Sequence, residues 1–276
     1  MDGFSVDDHV REEYEDASCS FIIPSNSQCK FLKDYGHDES VKLRQFNLVL
    51  DLDQTLIHTI QTCDPEVIKA HCMMKNMLIH FVHERPEPLQ NVHFMVFYRP
   101  GVFKFLEEMS QICTLHIYTN AVLSYANKII NMIHASLGTA VIRSYYYRES
   151  MLDLQKHLSK ITSDPCDTIV IDDRLDVWLE DMNNVIQIRP FLGPAGSTPY
   201  LEDNDLYLLA PIITKIRNEA LKKGLSLVSL IESAKVDYLI AQFDKFNTDK
   251  YSHDPISPAT VDFLRFGVVS ASSMYE

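Results

Sequence analysis

Between residues 46 and 188, short apolar runs rich in β-branched residues alternate with stretches whose apolar residues recur at helical spacing. FNLVLDLD (46–53), VHFMVFYR (92–99), CTLHIYT (113–119), TAVIR (139–143), DTIVIDD (167–173) and NVIQI (184–188) are too short for helices and read as strands. AVLSYANKIINMIHA (121–135) and LDLQKHLSKI (152–161) read as helices. RPG (99–101) turns the chain into a helix with Val102, Phe105, Leu106 and Met109 on one face. A further helix is expected from about Leu201 to Lys222, after the Pro/Gly loop 189–199. Strands alternating with helices argue for an α/β fold: a mostly parallel sheet with helices on both faces.

In such a sheet, ligands bind beyond the carboxyl ends of the strands, so the residues found there matter most. The first run ends in Asp51-x-Asp53-x-Thr55, the 113–119 run in Thr119-Asn120, and the 167–173 run in Asp172-Asp173. Lys156, on the helix expected before that last strand, reaches the same edge, with Lys160 and Arg148 as competitors should the helix phase differ. Acids that repel one another converge there with one lysine. A hard divalent cation resolves the conflict, and Mg²⁺ takes oxygen ligands and shares phosphate oxygens with substrates.

The chemistry follows from that geometry. An ionised Asp51 is an oxygen nucleophile toward phosphorus and would form an aspartyl-phosphate. Asp53 would protonate the leaving alkoxide and then deprotonate the hydrolytic water. Thr119, Lys156 and backbone N–H groups would hold the phosphoryl oxygens.

Charge and cysteines narrow the partners. The formal net charge is −13 and the longest basic run is Lys222-Lys223, so direct nucleic-acid binding and a membrane-surface role are not expected. The cysteines form no Cys-x-x-Cys pair and no run has the length of a membrane span, which points to a reducing compartment, cytosol or nucleus. Cys63, His71, Cys72, His80 and His83 cluster between residues 62 and 91, but their spacing fits no standard zinc pattern. The single tryptophan, Trp178, reads as a packing anchor rather than a substrate platform.

The ordered motifs DLDQT, HIYTNA, KHLSKI and VIDDRLDVW resemble those of the haloacid dehalogenase (HAD) superfamily. More narrowly, the chain resembles the DxDxT protein phosphatases of the RNA polymerase II C-terminal repeat domain. With FYRPGV and DNDLYLLAPIITKIR it is most similar to their TFIIF-associating branch. The resemblance implies a HAD-like phosphatase domain over 41–222 with an insertion at 62–91, flanked by an acidic arm (1–40) and a helical C-terminal appendage (223–276). It also implies a Mg²⁺-dependent serine phosphatase acting on the phosphorylated polymerase repeat in the nucleus, with TFIIF as a possible partner.

Site roles carry over by position. Asp51 is implied as nucleophile, Asp53 as acid/base with its main-chain carbonyl on Mg²⁺, and Asp173 as a metal ligand. Asp172 would position Lys156 or a metal water, Thr119 and Lys156 would bind phosphate, and Arg99 would lie by the substrate channel. A catalytically silent binding module on the same fold and a small-molecule phosphate-ester hydrolase are the alternatives. Two departures stand out: Cys113 replaces the tyrosine that branch places six residues before the motif threonine, and the tail is too short for its BRCT domain, so a truncated or reduced protein is expected.

Overall fold

A computed structural model of the chain describes residues 44, 46–72, 79–83, 91–148, 154–195 and 202–250. The elements run β1 (Asn47–Leu50), β2 (Ile57–Thr62), α1 (Pro65–Cys72), β3 (Ile79–His83), β4 (Val92–Tyr98), α2 (Val102–Ser110), β5 (Thr114–Tyr118), α3 (Leu123–Leu137), β6 (Ile142–Tyr146), β7 (Thr168–Asp172), β8 (Val185–Gln187), α4 (Asp205–Lys223) and α5 (Val228–Lys250). Among the described residues no helix is long and apolar enough to cross a membrane.

The apolar run 47–50 becomes the central strand because both of its faces are covered. Leu48 and Leu50 enter one cluster, with Val102, Phe105, Ile129 and Ile213 from the helices. Val49 enters the other, with Val170, Val185 and Trp178. A strand buried on both faces needs apolar residues at successive positions, which is why this run lacks polar alternation. The parallel sheet has the order β6-β5-β1-β7-β8. The carboxyl ends of β1, β5 and β7 therefore meet at one edge, the edge that carries Asp51, Thr119 and Asp172-Asp173.

The strand expected at 92–99 forms, but in a second, antiparallel sheet of order β2-β4-β3. β2 is not foreseen from the sequence. It begins where the DLDQT turn ends, and Arg99 N–H donating to Leu56 O at 2.9 Å extends its pairing with β4. At the start of α2, Gly101 holds φ +81°, and a Cβ there would come within 2.7 Å of the Tyr207 ring. Glycine is thus required for backbone conformation and for space alike. The apolar face expected of α2 is buried as expected.

The helix expected over 152–161 does not form in its described part; residues 154–157 are irregular and a single 3-10 turn spans Leu158–Lys160. Tertiary hydrogen bonds win over local propensity here. Lys156 N–H donates to Val177 O at 2.7 Å and Leu158 N–H to Asp181 Oδ2 at 2.8 Å, so neither bonds the carbonyl four residues back as a helix over 152–161 would need. The segment instead lies over the second face of the sheet, where Leu158 and Ile161 pack near Trp178.

α4 begins at Asp205, later than the expected Leu201. α5 packs Leu230, Ile231, Ala234 and Tyr238 into the core that α4 shares. The break expected at 253–258 lies outside the described residues.

Candidate active site

The stretch LDLDQT turns back on itself directly after β1. Leu52 O accepts from the N–H groups of Leu56 (2.9 Å) and Ile57 (3.0 Å), while Gln54 N–H donates to Ile57 O at 2.7 Å. Gln54 takes φ +66°, a left-handed conformation that reverses the chain within one residue. Leu52 points into the core, so the acids on either side of it both line the cavity above the sheet edge. The spacing of two thus puts Asp51 and Asp53 on one side with an apolar residue between them.

The cavity measures about 550 Å³. Asp51, Asp172, Asp173, Lys156 and Thr119 are all buried there. Lys156 Nζ stands 2.7 Å from Asp51 Oδ1 and 2.7 Å from Asp172 Oδ2. Of the lysines that compete for this role in the sequence, Lys160 is exposed, and Lys156 reaches the acids from an extended segment rather than from a helix. Arg148 lines the cavity as well. Thr119 Oγ1 accepts from Ala121 N–H at 3.0 Å, which fixes the loop leaving β5.

Each acid has its own support. Asp172 accepts from the Trp178 indole N–H at 2.8 Å and from Arg174 N–H at 2.9 Å. Thr55 Oγ1 donates to Asp173 Oδ1 at 3.4 Å and accepts from Asp173 N–H at 3.2 Å, tying the first loop to the third. Asp53 Oδ1 accepts from the Tyr125 hydroxyl at 2.6 Å.

Burial and like charge act together on these groups. Desolvation pushes the Asp51 carboxyl well above its ordinary range; Asp172 and Asp53 push the same way and Lys156 opposes them. Desolvation also raises Asp53, against the Tyr125 hydrogen bond. Burial and the charge of Asp172 lift Asp173 to about 6. Burial pulls the Lys156 ammonium down, but Asp51 and Asp172 outweigh it, so its pKa is raised and it stays charged.

Three carboxylates facing one ammonium leave an uncompensated negative charge. One oxygen from each of Asp51, Asp172 and Asp173 lies within 4.8 Å of the others, a donor set of hard oxygens that fits a divalent cation. The resemblance implies Asp51, Asp173 and the main-chain carbonyl of Asp53 as metal ligands; beside the carboxylates of Asp51 and Asp173 the structure also brings that of Asp172. The Asp53 carboxylate itself is engaged by Tyr125.

Arg99, which the resemblance puts near the substrate channel, is not among the residues that line this cavity. It is fully buried and pairs with Asp203 (2.8 Å) and Asp205 (2.7 Å). Its remaining donors go to Thr55 O at 3.1 Å and Arg189 O at 2.9 Å. A guanidinium inside the protein requires carboxylate and carbonyl partners, and the acids at the start of α4 supply them.

Tyr125, Phe81, Phe94 and Lys128 line the cavity and do not stand out in the sequence. The two phenylalanine rings stack at 4.8 Å, and Lys128 Nζ lies 4.7 Å from the Phe81 centroid. The sequence offers one usable signal: Ser124-Tyr125 opens a helix directly after the Thr119 loop, so its first turn must face the same edge. Of the Cys/His cluster, Cys63 is exposed and His71 Nδ1–H donates to Val67 O at 2.8 Å. The side chains of Cys72, His80 and His83 lie outside the described residues.

Comparisons with known proteins bear on the family and the fold. A phosphatase of the RNA polymerase II C-terminal domain from Schizosaccharomyces pombe is 34% identical over 169 residues, 55% of this chain and 22% of the relative. The phosphatase of the same name from Encephalitozoon cuniculi is 31% identical over 145 residues, 52% of this chain and 31% of the relative. The chain therefore spans less than a third of the length of these curated relatives. The solved structure of Fcp1, an essential RNA polymerase II CTD phosphatase, superposes with a TM-score of 0.55 at 22% identity. That match covers 68% of this chain and 70% of the other, and it concerns the fold. The sequence profile of one family matches residues 46–223, which takes in the three loops that carry Asp51, Thr119 and Asp172, and α4: the chain belongs to the NLI interacting factor-like phosphatase family.

Proposed function

We propose that this chain hydrolyses phosphoserine in the C-terminal repeat of RNA polymerase II through a phosphoryl-aspartate on Asp51. The observation that carries the reading is Lys156 held between Asp51 and Asp172, with Asp53 two residues along the same loop, all at one cavity. The substrate class rests on what the curated relatives are named for.

In the first step an Asp51 carboxylate oxygen bonds to phosphorus as the bond to the serine oxygen breaks, and Asp53 delivers its proton to that oxygen. Lys156 and Thr119 hold phosphoryl oxygens, Lys156 being the buried cation nearest the nucleophile. In the second step water attacks phosphorus, Asp53 takes its proton, and Asp51 leaves with the electron pair of its bond to phosphorus. A divalent ion held by Asp51, Asp172 and Asp173 would offset charge on the transferring group. The family resemblance favours Mg²⁺ with the Asp53 main-chain carbonyl as a further ligand, a nuclear location, and TFIIF as a partner.

The test compares kcat/KM for a phosphoserine heptad peptide with that for sugar phosphates, with and without Mg²⁺. The reading expects metal-dependent turnover and a preference for the peptide. A preference for sugar phosphates would identify a small-ester hydrolase, and no turnover of any ester would identify a silent binding module.

A further inference from the structure

We infer that Tyr125 is a positioning residue that selects which oxygen of Asp53 carries the catalytic proton, an inference that rests on the phosphatase reading above. Tyr125, in the first turn of α3, places its hydroxyl 2.6 Å from Asp53 Oδ1 and 2.6 Å from Thr59 Oγ1 on β2. A phenol has one hydrogen. That hydrogen goes to Asp53 Oδ1, so Thr59 must be the donor in the other bond. The chain of donors runs Thr59 Oγ1–H to Tyr125 Oη–H to Asp53 Oδ1.

The direction of this chain has a chemical consequence. An oxygen that accepts a short hydrogen bond from a phenol is a poor site for a proton, because a protonated carboxyl oxygen is a much weaker acceptor than the carbonyl oxygen beside it. The proton of a neutral Asp53 is thereby directed to Oδ2. A general acid works only when its proton lies on the oxygen facing the leaving group, within hydrogen-bond reach. Tyr125 fixes both the rotamer of Asp53 and the oxygen that donates.

The tyrosine is itself braced. Its ring lies 6.0 Å from that of Phe94 on β4, and Phe94 stacks on Phe81 of β3. The antiparallel sheet thus reaches the reacting atoms through Thr59 and Tyr125, although none of its strands carries an acid of the site. Replacing the hydroxyl alone leaves this packing in place.

The test is Tyr125→Phe, assayed in the first turnover on aryl phosphates of graded leaving-group pKa and on a phosphoserine peptide. Protonation matters for a serine alkoxide and little for nitrophenolate. The expected result is a loss of about ten- to a hundredfold on the peptide, a fraction of what general acid catalysis contributes. Nitrophenyl phosphate should stay within about threefold, and the dependence on leaving-group pKa should steepen, with peptide KM unchanged. Thr59→Val should steepen it in the same direction and less. In an Asp53→Asn background, where the dependence is already steep, Tyr125→Phe should add nothing. Equal losses on all leaving groups, or a further effect in the Asp53→Asn background, overturn the role of Tyr125 while leaving the phosphatase reading intact. An unmodified chain that turns over none of these esters overturns both.

Discussion

The Trp178 indole N–H donates to Asp172 Oδ2, the same oxygen that receives the Lys156 ammonium. The tryptophan is fully buried, so it serves as the packing anchor expected of it and also as a fixed donor. With Lys156 and Trp178 converging on one oxygen and Arg174 N–H on the other, Asp172 cannot rotate. The position of Lys156 against Asp51 inherits that rigidity.

Trp178→Phe keeps an aromatic ring in the core but removes the donor and leaves a cavity where the indole's second ring packed, which adds to the loss of stability. The loss of a hydrogen bond to a charged acceptor should lower stability by about 1.5–3 kcal/mol. Removing a group that orients a site residue should lower kcat/KM roughly tenfold. Urea unfolding midpoints and steady-state kinetics check the two effects, and unchanged values for both would show that Asp172 needs no such support.

Arg99→Ala should act on the fold rather than on substrate choice. It leaves Asp203 without its cation and Asp205 with Arg189 alone, and frees the Thr55 carbonyl of the first loop. Breaking a buried ion pair by removing one partner costs about 3–5 kcal/mol. The variant should unfold at lower urea and lose activity equally on peptide and aryl phosphates. A selective rise in KM for the peptide would restore the substrate-channel role expected from the sequence.

Sequence and structure agree where a residue's role follows from its place on the chain. β1 is legible because an apolar run with no polar alternation must be covered on both faces, and the acids at its end then fall on a ligand-binding edge. Thr119 and Asp172-Asp173 are located in the same way, at the ends of their own apolar strands. Residues 152–161 mislead, because their apolar spacing suits a helix while Lys156 N–H and Leu158 N–H find partners on a distant loop. Arg99 misleads because nothing local reveals that Asp203 and Asp205 return to it across roughly a hundred residues. The position of Tyr125 in the first turn of α3 hints at the site edge, but its role is not legible because its partners, Asp53 and Thr59, lie on other elements.

His116 on β5 provides a handle on pH. Burial, with a smaller contribution from Arg143, lowers its pKa to about 4, and it stays neutral between Ser144 and Asn47. The unfolded chain binds a proton at His116 near pH 6.5 while the folded chain does so only near 4. Between those values the unfolded state therefore holds more protons, and stability falls as pH drops, by at most about 1.4 kcal/mol per pH unit from this one group. Urea midpoints measured at a series of pH values descending from neutral should fall more steeply for the native protein than for His116→Gln. Parallel slopes would show that His116 takes no part in the acid sensitivity of the fold.

In the proposed mechanism phosphate passes through a covalent bond to Asp51, and that bond can be trapped. The chain is mixed with a phosphoserine peptide and Mg²⁺, quenched in acid within the first turnover, and reduced with borohydride, which converts an acyl-phosphate to an alcohol. Peptide mass spectrometry should then find homoserine at position 51, none at Asp53, Asp172 or Asp173, and no conversion in Asp51→Asn, which should also show no turnover. Turnover with Asp51 left unmodified, or with the label on another residue, would refute a phosphoryl-aspartate at Asp51.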